Sequence, residues 1–115
     1  MNIIMEVKQN SLGYGLYATK LYKMDEIVFK LDGEEYDHPT RETIYIGNNK
    51  HIYDKHGMYI NHSFEPTTYI NESCVIAKIN INEGDELTFN YNDNEIDMAN
   101  PFYVDGQLVC GKNKQ

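Results

Sequence analysis

The sequence predicts a mainly β fold with little helix, and three observations lead there. Apolar residues alternate with period two in three separate stretches, glycines recur at turn-like intervals, and no segment shows the spacing of a long amphipathic helix. With 115 residues and 41% hydrophobic content, the chain has room for one domain around one modest core.

Ile3, Met5 and Val7 would share one face of a first strand, after which Gly13 and Gly15 mark a turn. Residues 26–31 read as a further strand, and Gly33, Gly57, Gly84 and Gly106 sit at turn positions. The stretch Asp37 to Glu42 predicts one short helical turn, because proline is tolerated early in a helix and Thr or Asp can cap it. Val75, Ala77, Ile79 and Ile81 form a second apolar face, and Leu87, Phe89 and Tyr91 a third. From Asn92 the chain is polar and turn-prone, and it closes with a semi-ordered tail packing through Phe102 and Tyr103.

A formal charge of −8 argues against an electrostatic footprint for nucleic acid and favours basic partners such as lysine-rich peptides. Cys74 and Cys110 lack the spacing of a disulfide framework or a metal site. The amino terminus has no signal-like pattern and no apolar run approaches the ~20 residues that span a bilayer, so a soluble intracellular protein is expected.

Three segments then occur in a telling order. Leu12-Gly13-Tyr14-Gly15-Leu16-Tyr17-Ala18 is followed by Tyr59-Ile60-Asn61-His62-Ser63-Phe64-Glu65-Pro66, and that by Gly84-Asp85-Glu86-Leu87-Thr88-Phe89-Asn90-Tyr91. Together they resemble the SET family of lysine methyltransferases, with the Asn61-His62-Ser63 segment as its most distinctive signature. The resemblance implies small β-sheets with a pseudoknot-like carboxy-terminal crossing, a SET domain over residues 1–97, and a closing tail over 98–115. It also implies S-adenosylmethionine as methyl donor, a basic lysine-containing protein or histone as partner, and no direct nucleic-acid or membrane partner. Small viral members are similarly minimal, which extends the expected location to a host nucleus and leaves a homodimer open.

Methyl transfer needs a neutral amine held in line with the donor, yet lysine has an ordinary pKa near ~10.4. A dry aromatic channel favours the uncharged form. By resemblance, Tyr91 is the catalytic candidate whose phenol orients the amine; otherwise it is a strand-end tyrosine packed on the core. Gly13, Tyr14, Gly15, Asn61, His62 and Phe102 are the implied cofactor contacts. Tyr36, Tyr59, Phe89 and Tyr103 are the implied substrate-channel residues, with core packing as the alternative for each. Phe89 stands where the family's phenylalanine leaves room for more than one methyl group. His38, His51 and His56 read as surface or core histidines.

The sequence also departs from the family pattern. Phe64 replaces a frequent zinc-ligating cysteine and the tail retains only Cys110, so no metal is expected. Thr67 and Asn90 replace an asparagine and an aspartate, where weaker supporting hydrogen bonds are expected. The alternative class of function is a catalytically silent SET-like protein-binding module.

Overall fold

The computed structural model describes residues 5–112. Strands β1 (Met5–Asn10) and β2 (Gly13–Ala18) form an antiparallel hairpin in register from Met5↔Ala18 to Asn10↔Gly13. The Asn10 side-chain oxygen accepts the Leu12 N–H at 2.9 Å, an Asx-type turn that closes the link. Met5 and Val7 turn inward as their alternation predicts, while Ile3 lies outside the described residues.

The second sheet has the order β3-β9-β8, built from β3 (Ile27–Lys30), β8 (Thr68–Asn71) and β9 (Cys74–Ala77). The third has the order β4-β6-β5, built from β4 (Glu34–Tyr36), β5 (Ile44–Gly47) and β6 (Lys50–Tyr53). Leu16, Val75, Ala77, Ile81 and Leu87 lie fully buried in the core that the sheets share. The helical elements are a 3₁₀ turn at Gly57–Tyr59 and the single turn α1 (Tyr91–Asn94). None is long and apolar enough to cross a membrane.

The crossing that organises the molecule is made by β7 (Asn61–His62) and β10 (Glu86–Phe89). β10 lies between β2, to which it is antiparallel, and β7, to which it is parallel with Thr88 opposite Asn61 and Phe89 opposite His62. Beyond β7 the chain stays on β10: Ser63 N–H donates to Phe89 O at 3.2 Å, and Thr68 Oγ1 donates to Thr88 O at 2.7 Å. Thr67 Oγ1 donates to Glu86 O at 2.9 Å and accepts Thr88 N–H at 3.0 Å. Residues 61–68 thus grip β10 along its length, the pseudoknot-like crossing of the expected fold.

Several local expectations are revised. The segment 37–42 forms no helical turn; Pro39 disfavours helical backbone at His38, and Thr40 N–H bonds the Thr43 hydroxyl at 2.8 Å instead. Tyr91 does not continue the strand of Leu87 and Phe89, because the Asn90 side chain accepts Asn92 N–H and caps a helical turn beginning at Tyr91. β9 ends at Ala77, so Ile79 is exposed while Ile81 is buried through a separate bridge to Tyr22. Gly57 opens a 3₁₀ turn, in keeping with its turn position in the sequence. Thr67 and Asn90, expected to weaken supporting hydrogen bonds, each supply them.

The tail forms a hairpin of β11 (Phe102–Val104) and β12 (Gln107–Val109). Of the expected anchors Phe102, Tyr103, Leu108 and Val109, only Val109 is buried, while Tyr103 is 71%, Leu108 39% and Phe102 37% exposed. Cys110 is buried beside it, and Asn92 clamps the backbone: its Oδ1 accepts Cys110 and Gly111 N–H at 3.0 Å each, and its Nδ2 donates to Leu108 O at 3.0 Å.

Candidate active site

The parallel pairing of β7 with β10 carries Asn61 and His62 alongside Thr88 and Phe89, and the capped turn after Asn90 folds Tyr91 back toward them. Tyr91 N–H donates to His62 Nδ1 at 3.1 Å. That bond leaves Nδ1 without a proton and places the proton of the neutral ring on Nε2, which is buried with no partner in the protein. Burial lowers the His62 pKa below the usual imidazole range, opposed in part by Asp93, so the ring is held neutral.

The Tyr91 hydroxyl donates to Ile60 O, the carbonyl just before β7. Burial raises the phenol's pKa, and the carboxylates of Glu95 and Glu86 raise it further, so Tyr91 stays protonated at all ordinary pH values. Its ring lies 4.7 Å from Phe89, 5.3 Å from His62 and 6.1 Å from Phe102 between centroids. Phe64 sits edge-on to His62 at 4.4 Å. These rings form an apolar wall with a few fixed polar groups, the usual build of a small-molecule site.

Asn61 knits the glycine turn to this wall. Its Nδ2 donates to Tyr14 O and to Glu86 Oε2, both at 2.8 Å, leaving Oδ1 as the free acceptor. Gly13 has φ +114, a conformation that side-chain-bearing residues rarely adopt, with open space where a Cβ would stand. At Gly15 a Cβ would stand 2.6 Å from Asn10 Nδ2 and 2.7 Å from Glu86 Oε2, so those two side-chain ends would have to move aside.

A cavity of about 720 Å³ opens against the wall. Of the residues singled out in the sequence, Asn61, His62, Phe89, Tyr91, Phe102 and Tyr103 line it. Gly13, Tyr14 and Gly15 are not on the lining, although Leu12 is, and Tyr14 O is bonded to Asn61. Tyr59 packs edge-on to Tyr14 at 6.0 Å and does not reach the lining. Tyr36 is on the third sheet, bonded to Glu34 and beside His38, and is likewise not brought to the cavity.

Glu95 was not singled out, yet it is buried on the cavity lining, four residues after Tyr91. Tyr45 N–H donates to both its oxygens, at 3.1 and 3.3 Å, and Asn94 Nδ2 donates to Oε2 at 2.8 Å. Desolvation raises its pKa to about 7 despite those bonds. Helical spacing from Tyr91 was the available signal, but no sequence pattern announces that a carboxylate is buried.

Comparison with known proteins agrees with this arrangement. A search of curated proteins gives no match. A solved structure of a Plasmodium falciparum candidate histone methyltransferase is similar at 22% identity and a TM-score of 0.61, covering 79% of this chain and 95% of that one. A humanized mutant of the Chaetomium thermophilum Polycomb Repressive Complex 2, solved with an inhibitor, is similar at 24% identity and a TM-score of 0.57, covering 79% of this chain and 15% of that one. The family model described as SET domain matches residues 13–92, from the glycine turn through β10 and Tyr91 into α1. Gripped strand, asparagine–histidine pair and folded-back tyrosine all fall inside that match, and the chain belongs to the SET domain family.

Proposed function

We propose that this protein transfers a methyl group from S-adenosylmethionine to the side-chain amine of a protein lysine. The observation that carries the reading is that Tyr91, its ring 5.3 Å from His62, lines one cavity together with Asn61 and His62. Membership of a family typically made of protein lysine methyltransferases supports it.

The residues fit such a donor by chemistry. An adenosyl amino acid offers a flat ring, an ammonium and a carboxylate. The cavity offers the aromatic face of Phe102, the free Oδ1 of Asn61 and the unpartnered, buried Nε2–H of His62. Its volume suits a ligand of this size. Asn61, His62 and Phe102 would hold the donor directly, with the Gly13-Tyr14-Gly15 turn behind them. When bound, the donor supplies an electrophilic methyl group on a sulfonium.

The chain's own task is alignment and dryness. Tyr91 is fixed at both ends, by its N–H on His62 and its hydroxyl on Ile60 O, so its phenol offers a rigid oxygen to an incoming amine. Phe89, buried at the cavity wall, keeps water from that oxygen, and by family resemblance a phenylalanine at this position goes with room for more than one methyl. Tyr103, also on the lining and largely exposed, stands where a peptide would approach. We further assign residues 1–97 to the catalytic unit and 98–115 to a tail that closes the site. A net charge of −8 favours a basic target such as a histone tail.

The test is label transfer from the methyl donor to purified histones, with donor binding followed by calorimetry. Tyr91→Phe is expected to reduce transfer roughly 100-fold or more with donor binding retained. Undiminished transfer in that variant removes Tyr91 from the chemistry. Donor binding without transfer in the wild type would favour a protein-binding module.

A further inference from the structure

We propose that Glu95 is the receiving group for the substrate amine: its carboxylate draws the lysine ammonium into the cavity and takes a proton from Nζ. The inference rests on the lysine-methylation reading above. The N–H bond breaks with its electron pair left on nitrogen, an O–H bond forms on Glu95, and the carboxyl later returns its proton to water. What remains is an uncharged amine beside the Tyr91 hydroxyl.

Three features of the structure support this role. The first is position. Glu95 N–H donates to Tyr91 O at 2.8 Å, one helical turn on, and both side chains line the same cavity. The second is unequal tethering of the carboxylate. Oε2 takes the two shorter bonds, from Tyr45 N–H and Asn94, while Oε1 takes only the 3.3 Å contact and has lone pairs to spare.

The third is the lack of a cation. Glu95 is 5% exposed, yet the ion pairs among the described residues are His38 with Asp37 and Lys50 with Glu35. Arg41, Glu42 and His62 also face the cavity, but none forms an ion pair with Glu95. Buried carboxylates are ordinarily paired, because desolvation of a lone charge is costly. A site that leaves one unpaired on the wall of a ligand cavity is prepared for a cation from outside, and a lysine side chain brings one.

The acid strength is suited to the step. Between an ordinary glutamate and lysine the proton transfer is uphill by roughly a millionfold; burial of Glu95, with its pKa raised to about 7, reduces that to roughly a few thousandfold. An aligned amine in a dry channel offsets part of the remainder.

The binding claim is tested without catalysis. In protein labelled with ¹³C at glutamate side-chain carboxyls, Glu95 is assigned by the signal lost in Glu95→Gln and titrated with n-butylammonium or butan-1-ol. The proton affinity of Glu95 is expected to fall at least tenfold with n-butylammonium and to stay unchanged with the neutral alcohol. Equal responses to both, or none, overturn the role.

The proton claim is tested by methyl transfer to histones across pH. At histone concentrations well below saturation the wild-type rate should rise with pH through a single step near 7, the value of the empty site, and Glu95→Gln should lose that step and slow at least tenfold at pH 7 while binding the donor normally. An active wild type indifferent to Glu95→Gln overturns the role of Glu95 alone. A wild type that transfers no methyl overturns the underlying reading.

Discussion

Glu95 shows how one residue can set function against stability. In the folded state its pKa is raised from 4.5 to about 7, so across that window the folded protein binds a proton the unfolded chain does not. Its contribution is therefore fully present below about 4.5 and is lost as pH rises through about 7, an effect of about 3 kcal/mol at most. His62 works in the opposite sense, since its lowered value makes acidification below the usual imidazole range costly. Glu95→Gln keeps an acceptor for Tyr45 N–H and leaves His62 in place. Urea unfolding at pH 5 and pH 8 is expected to show a smaller loss of stability toward pH 8 in the variant than in the wild type. Parallel losses in the two proteins would mean that Glu95 does not titrate in this window.

Among elements, the tail hairpin is hydrogen-bonded to α1 by the Asn92 side chain. Asn92 accepts from Cys110 and Gly111 and donates to Leu108, so Asn92→Ala leaves three backbone groups without their partner, a cost of about 3 kcal/mol. Limited proteolysis should then cut first within residues 98–112, and a cleavage pattern like that of the wild type would show that Val109 and Cys110 suffice as anchors. Such clamps explain what the sequence did and did not disclose. Strands β1, β9 and β10 were legible because apolar alternation marks strand, although β9 and β10 prove buried on successive residues rather than on one face. The sequence points to a helical turn at Asp37 to Glu42, yet the turn occurs at Tyr91–Asn94, since the decisive Asn90 cap looks in sequence like any polar loop residue. Of the eleven site residues singled out, six line the cavity, and the outlying Tyr36 shows that aromatic character alone does not place a side chain. Glu95 escaped notice because burial of a carboxylate depends on β5 arriving from fifty residues away.

For the whole molecule, the β2-β10-β7 arrangement makes most of the fold long-range. Thr67 and Thr68 stitch the 61–68 segment to Glu86 and Thr88, so the crossing tightens only when both partners are present. Non-local pairing of this kind slows folding, because loop closure precedes the contacts that reward it. The strand in the middle of the first sheet is also younger in synthesis than either neighbour. A growing chain on the ribosome therefore displays a split sheet, with two open edges and an uncovered Leu16, until residue 89 has cleared the exit tunnel. Force measurements on stalled nascent chains should detect no folding pull before that length, and an earlier pull would mean that β1 and β2 find a stable partner without β10.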